Sequence, residues 1–273
     1  MAVKPKDAAT VIFLRQPPES DKGHFEVLMV LRHPHSKFVP GSYVFPGGCL
    51  DHEDYSPEIE DLCTGVDRIK AQTTLPDMSS PEKALGSWAA AIRETFEEVG
   101  LLLAYRSDKT LVSFDSEDVI NKFHSYRQKL QTGEISLKTI LRNEKLTLAA
   151  DRLYYFSHWI TPELLPLRYD VRFFIAEMPS KQEAIHDGIE LMRHAWITPQ
   201  EILDDYNRQN FNMVVPTLVT IEELSFYKTI QEVIASTVNK KISAILTVMV
   251  DGDGGIVEYA PDGRIFRNMP PSV

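Results

Sequence analysis

Only two cysteines, Cys49 and Cys63, occur in the 273 residues, too few for a disulfide framework and in keeping with a reducing compartment. No apolar run reaches the roughly 18 residues that a membrane-spanning helix requires, and the N-terminus lacks the apolar core of a signal peptide. The chain ends Pro270-Pro271-Ser272-Val273, which is not a peroxisomal tripeptide address, so the expected location is the cytoplasm. Positive charge is in short supply: 29 Lys and Arg stand against 39 Asp and Glu, a formal net charge of −10. That excludes a broad basic surface for general nucleic-acid binding, though not a local basic pocket for phosphates. Tandem repeats and low-complexity tracts are absent. The apolar fraction of 43% is ordinary for a globular chain, which is long enough to bury a large core.

A more local absence is informative. No lysine lies between Lys83 and Lys109, and inside that gap runs Arg93-Glu94-Thr95-Phe96-Glu97-Glu98-Val99-Gly100-Leu101. At about 100° per residue on a helix, Glu94, Glu97 and Glu98 share one side, while Ala89, Ile92, Phe96 and Val99 fall nearly opposite. A solvated acidic face would normally intersperse lysine. Three carboxylates on one face repel unless a cation neutralises them, and oxygen ligands favour a hard ion, Mg²⁺ or Mn²⁺. Arg93, four residues before Glu97, can hold that carboxylate in place, and Gly100 suits a left-handed helix cap. Upstream, Phe45-Pro46-Gly47-Gly48 reads as a tight turn whose backbone can approach a ligand closely.

The two segments together resemble the Nudix box, G-x5-E-x7-R-E-U-x-E-E-x-G-U, with U a bulky apolar residue. Gly48 matches its opening, and Arg93, Glu94, Glu97, Glu98, Gly100 and Leu101 match its close. Thr95 stands at a bulky apolar position, and Asp54 stands where the box has Glu. Between Asp54 and Arg93 lie 38 residues instead of seven, an insertion of 31, placed at about 55–79. Further on, Trp159-Ile160-Thr161-Pro162 and Arg168-Tyr169-Asp170-Val171-Arg172-Phe173-Phe174 are similar to the W-x-T-P and R-x-D-x-x-F-F segments of a Nudix subgroup. That subgroup carries a long insertion in its box and includes a peroxisomal diphosphohydrolase of coenzyme A and acyl-CoA. Glu190 and Trp196 through Glu201 resemble a segment near the end of many Nudix domains.

The elements expected from pattern alternate. Strands are expected at 8–15, 25–32 and 42–45, with a loop over 16–23. A helix is expected near 58–70 and a long one over 81–99, followed by extended stretches at 101–106 and 110–114. Helices follow over 116–143 and 135–146, then strands at 154–160, 169–177 and 194–197. A helix over 199–207, one continuous amphipathic helix over 216–235, and a hairpin formed by 242–250 and 255–259 complete the chain. The fold class is α/β (α+β): a Nudix fold with a mixed sheet between helices, a helical insertion and a C-terminal extension. Residues 1–206 are read as the Nudix domain, elaborated at 55–79 and 116–146, and 207–273 as a helix and hairpin packed on it.

The resemblance implies a metal-dependent diphosphohydrolase acting on a nucleoside diphosphate linked to another group, most closely CoA or acyl-CoA. It implies Glu94, Glu97 and Glu98 as metal ligands, with Glu94 either a ligand or the carboxylate that prepares the water. Arg93 is a positioning residue, and a carbonyl of Gly47 or Gly48 completes the metal shell. Arg32 is either a receptor for the 3′-phosphate of CoA or merely the end of a strand. Asp187 and Glu190 are candidates for a distal acid or base, or else ordinary loop charge. The insertion reads as a lid, a homodimer contact or a tolerated surface loop. His33 and His35 read as loop histidines, Cys49 as a small buried residue, and Asp251-Gly252-Asp253-Gly254 as a turn rather than a calcium loop. The alternatives are a Nudix hydrolase of ADP-ribose, NADH or capped RNA, and a non-catalytic nucleotide-sensing module.

Overall fold

The structure, a computed structural model, describes residues 3–17, 24–252 and 255–267. The chain begins with strands β1 (Lys6–Arg15), β2 (Glu26–Arg32), β3 (Tyr43–Val44) and β4 (Gly47–Cys49). Two 3-10 turns (His52–Tyr55 and Pro57–Leu62) lead to helix α1 (Arg68–Thr74) and the long helix α2 (Pro81–Val99). Then come β5 (Ala104–Tyr105), α3 (Glu117–Gln131), α4 (Leu137–Glu144), β6 (Thr147–Leu148), β7 (Tyr154–Ile160), β8 (Tyr169–Glu177) and β9 (Leu191–Ile197). Helices α5 (Pro199–Asn207), α6 (Val215–Leu224) and α7 (Ile230–Thr237) precede β10 (Ile245–Leu246), β11 (Val248–Gly252), β12 (Gly255–Tyr259) and β13 (Ile265–Arg267).

Eight strands form one mixed sheet in the order β10-β7-β8-β1-β2-β3, with β4 on β1 and β9 on β2. Strand β1 runs parallel to β8 along nine residues, Lys6↔Tyr169 to Leu14↔Glu177. It pairs with β2 at Leu14 and Arg15, while Ala8, Ala9 and Thr10 pair with Cys49, Gly48 and Gly47 of β4. Strand β4 thus lies along the first half of β1, and this places the glycines in the sheet rather than at its rim.

Both faces of the sheet are covered, which is why β1 is apolar on both sides instead of alternating. Ala9, Val11 and Phe13 join a core under α2, α3 and α4, whereas Ile12 and Leu14 join a second core under α5, α6 and α7. Helix α2 begins where Ser80 accepts from the Lys83 amide, with Pro81 in its first turn, and ends at Gly100 in the left-handed region (φ 74°). Among the described residues no helix is long and apolar enough to cross a membrane.

Several expectations change. The insertion is neither a loose surface loop nor a lid: Ile59, Ala71 and Leu75 are fully buried in the α2 core. Its helix is shorter and later than expected, since Pro57 and Gly65 break the segment into 3-10 turns before α1. The single helix expected over 216–235 is two, interrupted at Ser225–Thr229, where Thr229 caps α7 by accepting from the Glu232 amide. The segment 101–114 is mostly irregular, with only Ala104–Tyr105 as a strand. Strands β11 and β12 form the expected hairpin, closing at Gly252↔Gly255; residues 253 and 254 of its turn lie outside the described residues, as do 18–23 of the expected loop.

Candidate active site

The acidic run lies on the last two turns of α2, facing β4. Glu98 is buried (6% exposed) and accepts the Gly47 amide at 2.8 Å. Gly48 lies against Glu94: a Cβ on Gly48 would fall 2.4 Å from the Glu94 carboxyl carbon. The paired glycines therefore serve contact more than turning, because Gly47–Cys49 is extended and paired with β1. The turn expected at Gly-Gly is a strand, and what it needs from glycine is the missing Cβ.

Arg93 organises the rest. Its Nε and Nη2 donate to the two carboxylate oxygens of Asp54 at 2.9 Å each, and Nη2 also reaches the Cys49 carbonyl at 2.8 Å. Nη1 lies 3.0 Å from Glu94 and 3.1 Å from Glu97. Asp54 also accepts the Asp51 amide, closing a capping box. A bidentate guanidinium–carboxylate pair fixes orientation as well as charge. Asp54 therefore fills its box position as the anchor of Arg93, across the insertion.

Burial raises the Glu94 carboxyl to about 7 against the pull of Arg93. It raises Glu98 well above the carboxylate range, with Glu94 adding to the effect, and Glu97 is also raised by burial while Arg93 opposes it. Three carboxyls thus gather round Arg93, with Glu98 close enough to Glu94 to feel its charge, an excess of negative charge in a desolvated place. Oxygen-only donors with uncompensated charge are what a hard divalent cation requires, so the donor chemistry of Glu94, Glu97 and Glu98 suits a Mg²⁺- or Mn²⁺-type ion, although the three do not bring one ligand atom each within 4.8 Å of one another.

A cavity of about 340 Å³ opens beside them. Glu94, Glu98, Gly47 and Gly48 line it, as do Arg32 and Glu190; Glu97 instead faces Arg93 and is not part of the wall. Arg32 lies 3.9 Å from Glu190, and its buried Nε has no partner among the described residues. Arg32 both ends β2 and lines the cavity wall. Asp187 is held elsewhere: its carboxylate accepts the amides of Ile189, Glu190 and Leu191 at 2.9–3.1 Å, shaping the loop. Of the two distal acids, Glu190 is the one that reaches the cavity. Cys49 also lines the wall, with its thiol raised by burial and by Glu94, which makes it a poor nucleophile. His33 and His35 lie in the loop after β2, where Nδ1 of His33 accepts the His35 amide.

Sequence reasoning missed the far walls. Trp159, Val171 and Phe173 from β7 and β8, Val215 and Pro216 from α6, Thr247 from the link between β10 and β11, and Glu258 from β12 help to complete the cavity. Residues beyond 206 therefore contribute to its wall. Nor did reasoning from spacing find the ionic cluster on the opposite sheet face. Asp77, His158 and Asp170 have ligand-type atoms all within 4.8 Å of one another, but the buried Arg172 guanidinium already serves them, bonded to Asp77 and 2.9 Å from Asp170. Burial tends to raise Asp170, yet the hydrogen bond from His158 and the charge of Arg172 hold it below the usual range. Arg172 offsets part of the cluster's negative charge, and the cluster pins the end of the insertion to β7 and β8.

A mixed sheet between helices, carrying an acidic helix against a Gly-Gly strand, defines a Nudix hydrolase fold. The family model of the NUDT19 Nudix domain matches residues 5–224, so the chain belongs to that family. Acyl-coenzyme A diphosphatase NUDT19 of Xenopus laevis is 24% identical over 282 residues, covering 92% of this chain and 74% of the relative. The protein of that name from Homo sapiens is 21% identical, with 92% and 74% covered. The crystal structure of a NUDIX hydrolase from Alicyclobacillus acidocaldarius superposes with a TM-score of 0.69 at 22% identity, covering 88% of this chain and 98% of that one. That superposition bears on the fold.

Proposed function

We propose that this chain hydrolyses the diphosphate of coenzyme A or acyl-CoA, releasing adenosine 3′,5′-bisphosphate and the corresponding 4′-phosphopantetheine. The observation that carries the reading is the cavity: carboxylates and a Gly-Gly strand at one place, the Arg32 guanidinium nearby, and a largely apolar wall beyond. Its support from relatives is their name, acyl-coenzyme A diphosphatase.

A divalent ion held by Glu94, Glu97 and Glu98, with a carbonyl of Gly47 or Gly48, would offset the charge of the diphosphate and lower the pKa of a bound water. The chain's own residues do the placing. Arg93, locked by Asp54, keeps Glu94 and Glu97 in register. The Gly47 amide holds Glu98. The bare backbone of Gly47 and Gly48 allows phosphate oxygens to come close. Arg32, with an unpartnered Nε, suits the 3′-phosphate. Glu94 is either one of the ligands or the carboxylate that takes the proton of the attacking water, and Glu190, on the cavity wall, is the second candidate for that base.

The test is product analysis. CoA, acyl-CoA, ADP-ribose, NADH and capped RNA are each incubated with the protein and Mg²⁺ or Mn²⁺, with and without chelator. The expected outcome is adenosine 3′,5′-bisphosphate from CoA or acyl-CoA, lost on chelation. Cleavage of ADP-ribose with CoA left intact overturns the substrate; no cleavage with any metal restores the sensing module.

A further inference from the structure

Two features of the cavity's far wall have no part in diphosphate chemistry. The first is Trp159, 3% exposed, whose buried indole N–H has no hydrogen-bond partner among the described residues. A buried donor without a partner costs about 1–3 kcal/mol, and native proteins rarely tolerate one without a purpose. The second is Glu258, a buried carboxyl on β12. The Thr247 hydroxyl donates to one of its oxygens; the other has no hydrogen-bond partner among the described residues. Burial raises this carboxyl, with Thr247 opposing. Trp159, Thr247 and Glu258 all line the same cavity as Glu94 and Glu98, among apolar neighbours such as Leu165 and Val215. They come from the sheet edge and from the C-terminal strands, which β10 joins to that edge by pairing Ile245 with Trp159.

An apolar wall that offers one donor and one acceptor matches a secondary amide in an otherwise apolar chain. The amide oxygen takes the indole N–H, and the amide N–H meets the carboxylate. Resting on the CoA reading above, in which the leaving half of the substrate is a pantetheine arm with two such amides, we infer that Trp159 and Glu258 form an amide-recognition subsite. On this account the C-terminal strands select the substrate by its pantetheine arm and take no part in the chemistry.

The experiment compares Glu258→Gln and Trp159→Phe with the unaltered chain on two substrates. One is CoA. The other is a simple alkyl ester of 3′-phospho-ADP, which keeps the diphosphate and the adenine end but has no amide. Each variant is expected to raise the KM for CoA about tenfold, the scale of one lost hydrogen bond in a desolvated site, with kcat little changed. The preference for CoA over the truncated ester should fall by the same factor. Equal losses on both substrates would mean a structural effect and overturn the subsite. If the unaltered chain leaves CoA intact, the functional reading fails separately. Calorimetric titration of free pantetheine then decides this inference: weaker binding to both variants supports it, and absent or unchanged binding overturns it.

Discussion

Arg93 and Asp54 are 39 positions apart, with the box insertion between them, yet their side chains meet through two hydrogen bonds of 2.9 Å. The pair is nearly solvent-free, with side-chain exposures of 12% and 3%. Removing one partner of a buried pair typically costs about 3–5 kcal/mol, an upper bound here because Glu94 and Glu97 stay on Arg93. Asp54→Ala should lower unfolding stability by up to that amount in urea titrations. It should also cut turnover, because Arg93 is no longer fixed in the place from which it holds Glu94 and Glu97. A stability change below about 1 kcal/mol would show the pair to be incidental.

Glu97→Gln and Glu98→Gln test the acidic face directly. Each should lower kcat by about two to three orders of magnitude, the usual effect of losing one electrostatic element of an active site, while circular dichroism stays that of the unaltered protein. Near-normal turnover in either variant would remove that residue from the metal set.

The pH response of Glu94 has a defined sign. Its carboxyl stands at about 7 in the folded chain against an ordinary 4.5, so the folded state binds this proton more tightly than the unfolded one. Its contribution to stability is full below pH 4.5 and is lost as pH rises through about 7. In chelator, Glu94→Gln should therefore gain Tm relative to the unaltered chain as pH goes from 4.5 to 7.5, by several degrees. Added Mg²⁺ or Mn²⁺ should close that gap at high pH. A Tm difference flat across this window would contradict the burial argument.

Gly48→Ala introduces a methyl group 2.4 Å from the Glu94 carboxyl carbon. The Glu94 side chain must move, so kcat should fall about 100-fold, as small misplacements at reacting centres do, with Tm little changed. Equal activity would mean that the position of Glu94 is not critical.

Asp77→Ala removes the insertion's ionic link to Arg172. Limited proteolysis should then cleave within 64–79 faster than in the unaltered chain, while sites in β7 and β8 stay protected. Unchanged cleavage would show that Ile59, Ala71 and Leu75 hold the insertion unaided.

Local patterns carried much of the fold. Strands β7 and β8 and helices α2 and α5 have the expected bounds, because a strong apolar period, a capping Ser80 or Thr198 and a following proline set them within a few residues. The acidic face was legible because its three carboxylates lie within one helical turn or so of each other; the Gly-Gly segment was legible as a place of close approach but not as a strand, since its partners, β1 and Glu94, are distant in sequence. What long-range packing decides was not legible. Nothing in the spacing says that Asp54 reaches Arg93, that the insertion buries Leu75, or that Glu258 arrives on the cavity wall from the other end of the chain. The break between α6 and α7 escaped because the apolar stripe continues through it, and Thr229 acts as a cap only once the chain has turned.

The parallel pairing of β1 with β8 joins residues 6–14 to 169–177. During synthesis, β1 has no sheet neighbour on that side until more than half the chain has left the ribosome, although its apolar residues emerge first. Such non-local closure slows folding and prolongs exposure of sticky strands. The acidic helix can form early, but β1, on which the strand of the glycines pairs, lacks its longest partner until β8 arrives. A chain halted before residue 177 should thus depend on chaperones and contain a complete motif without a working site.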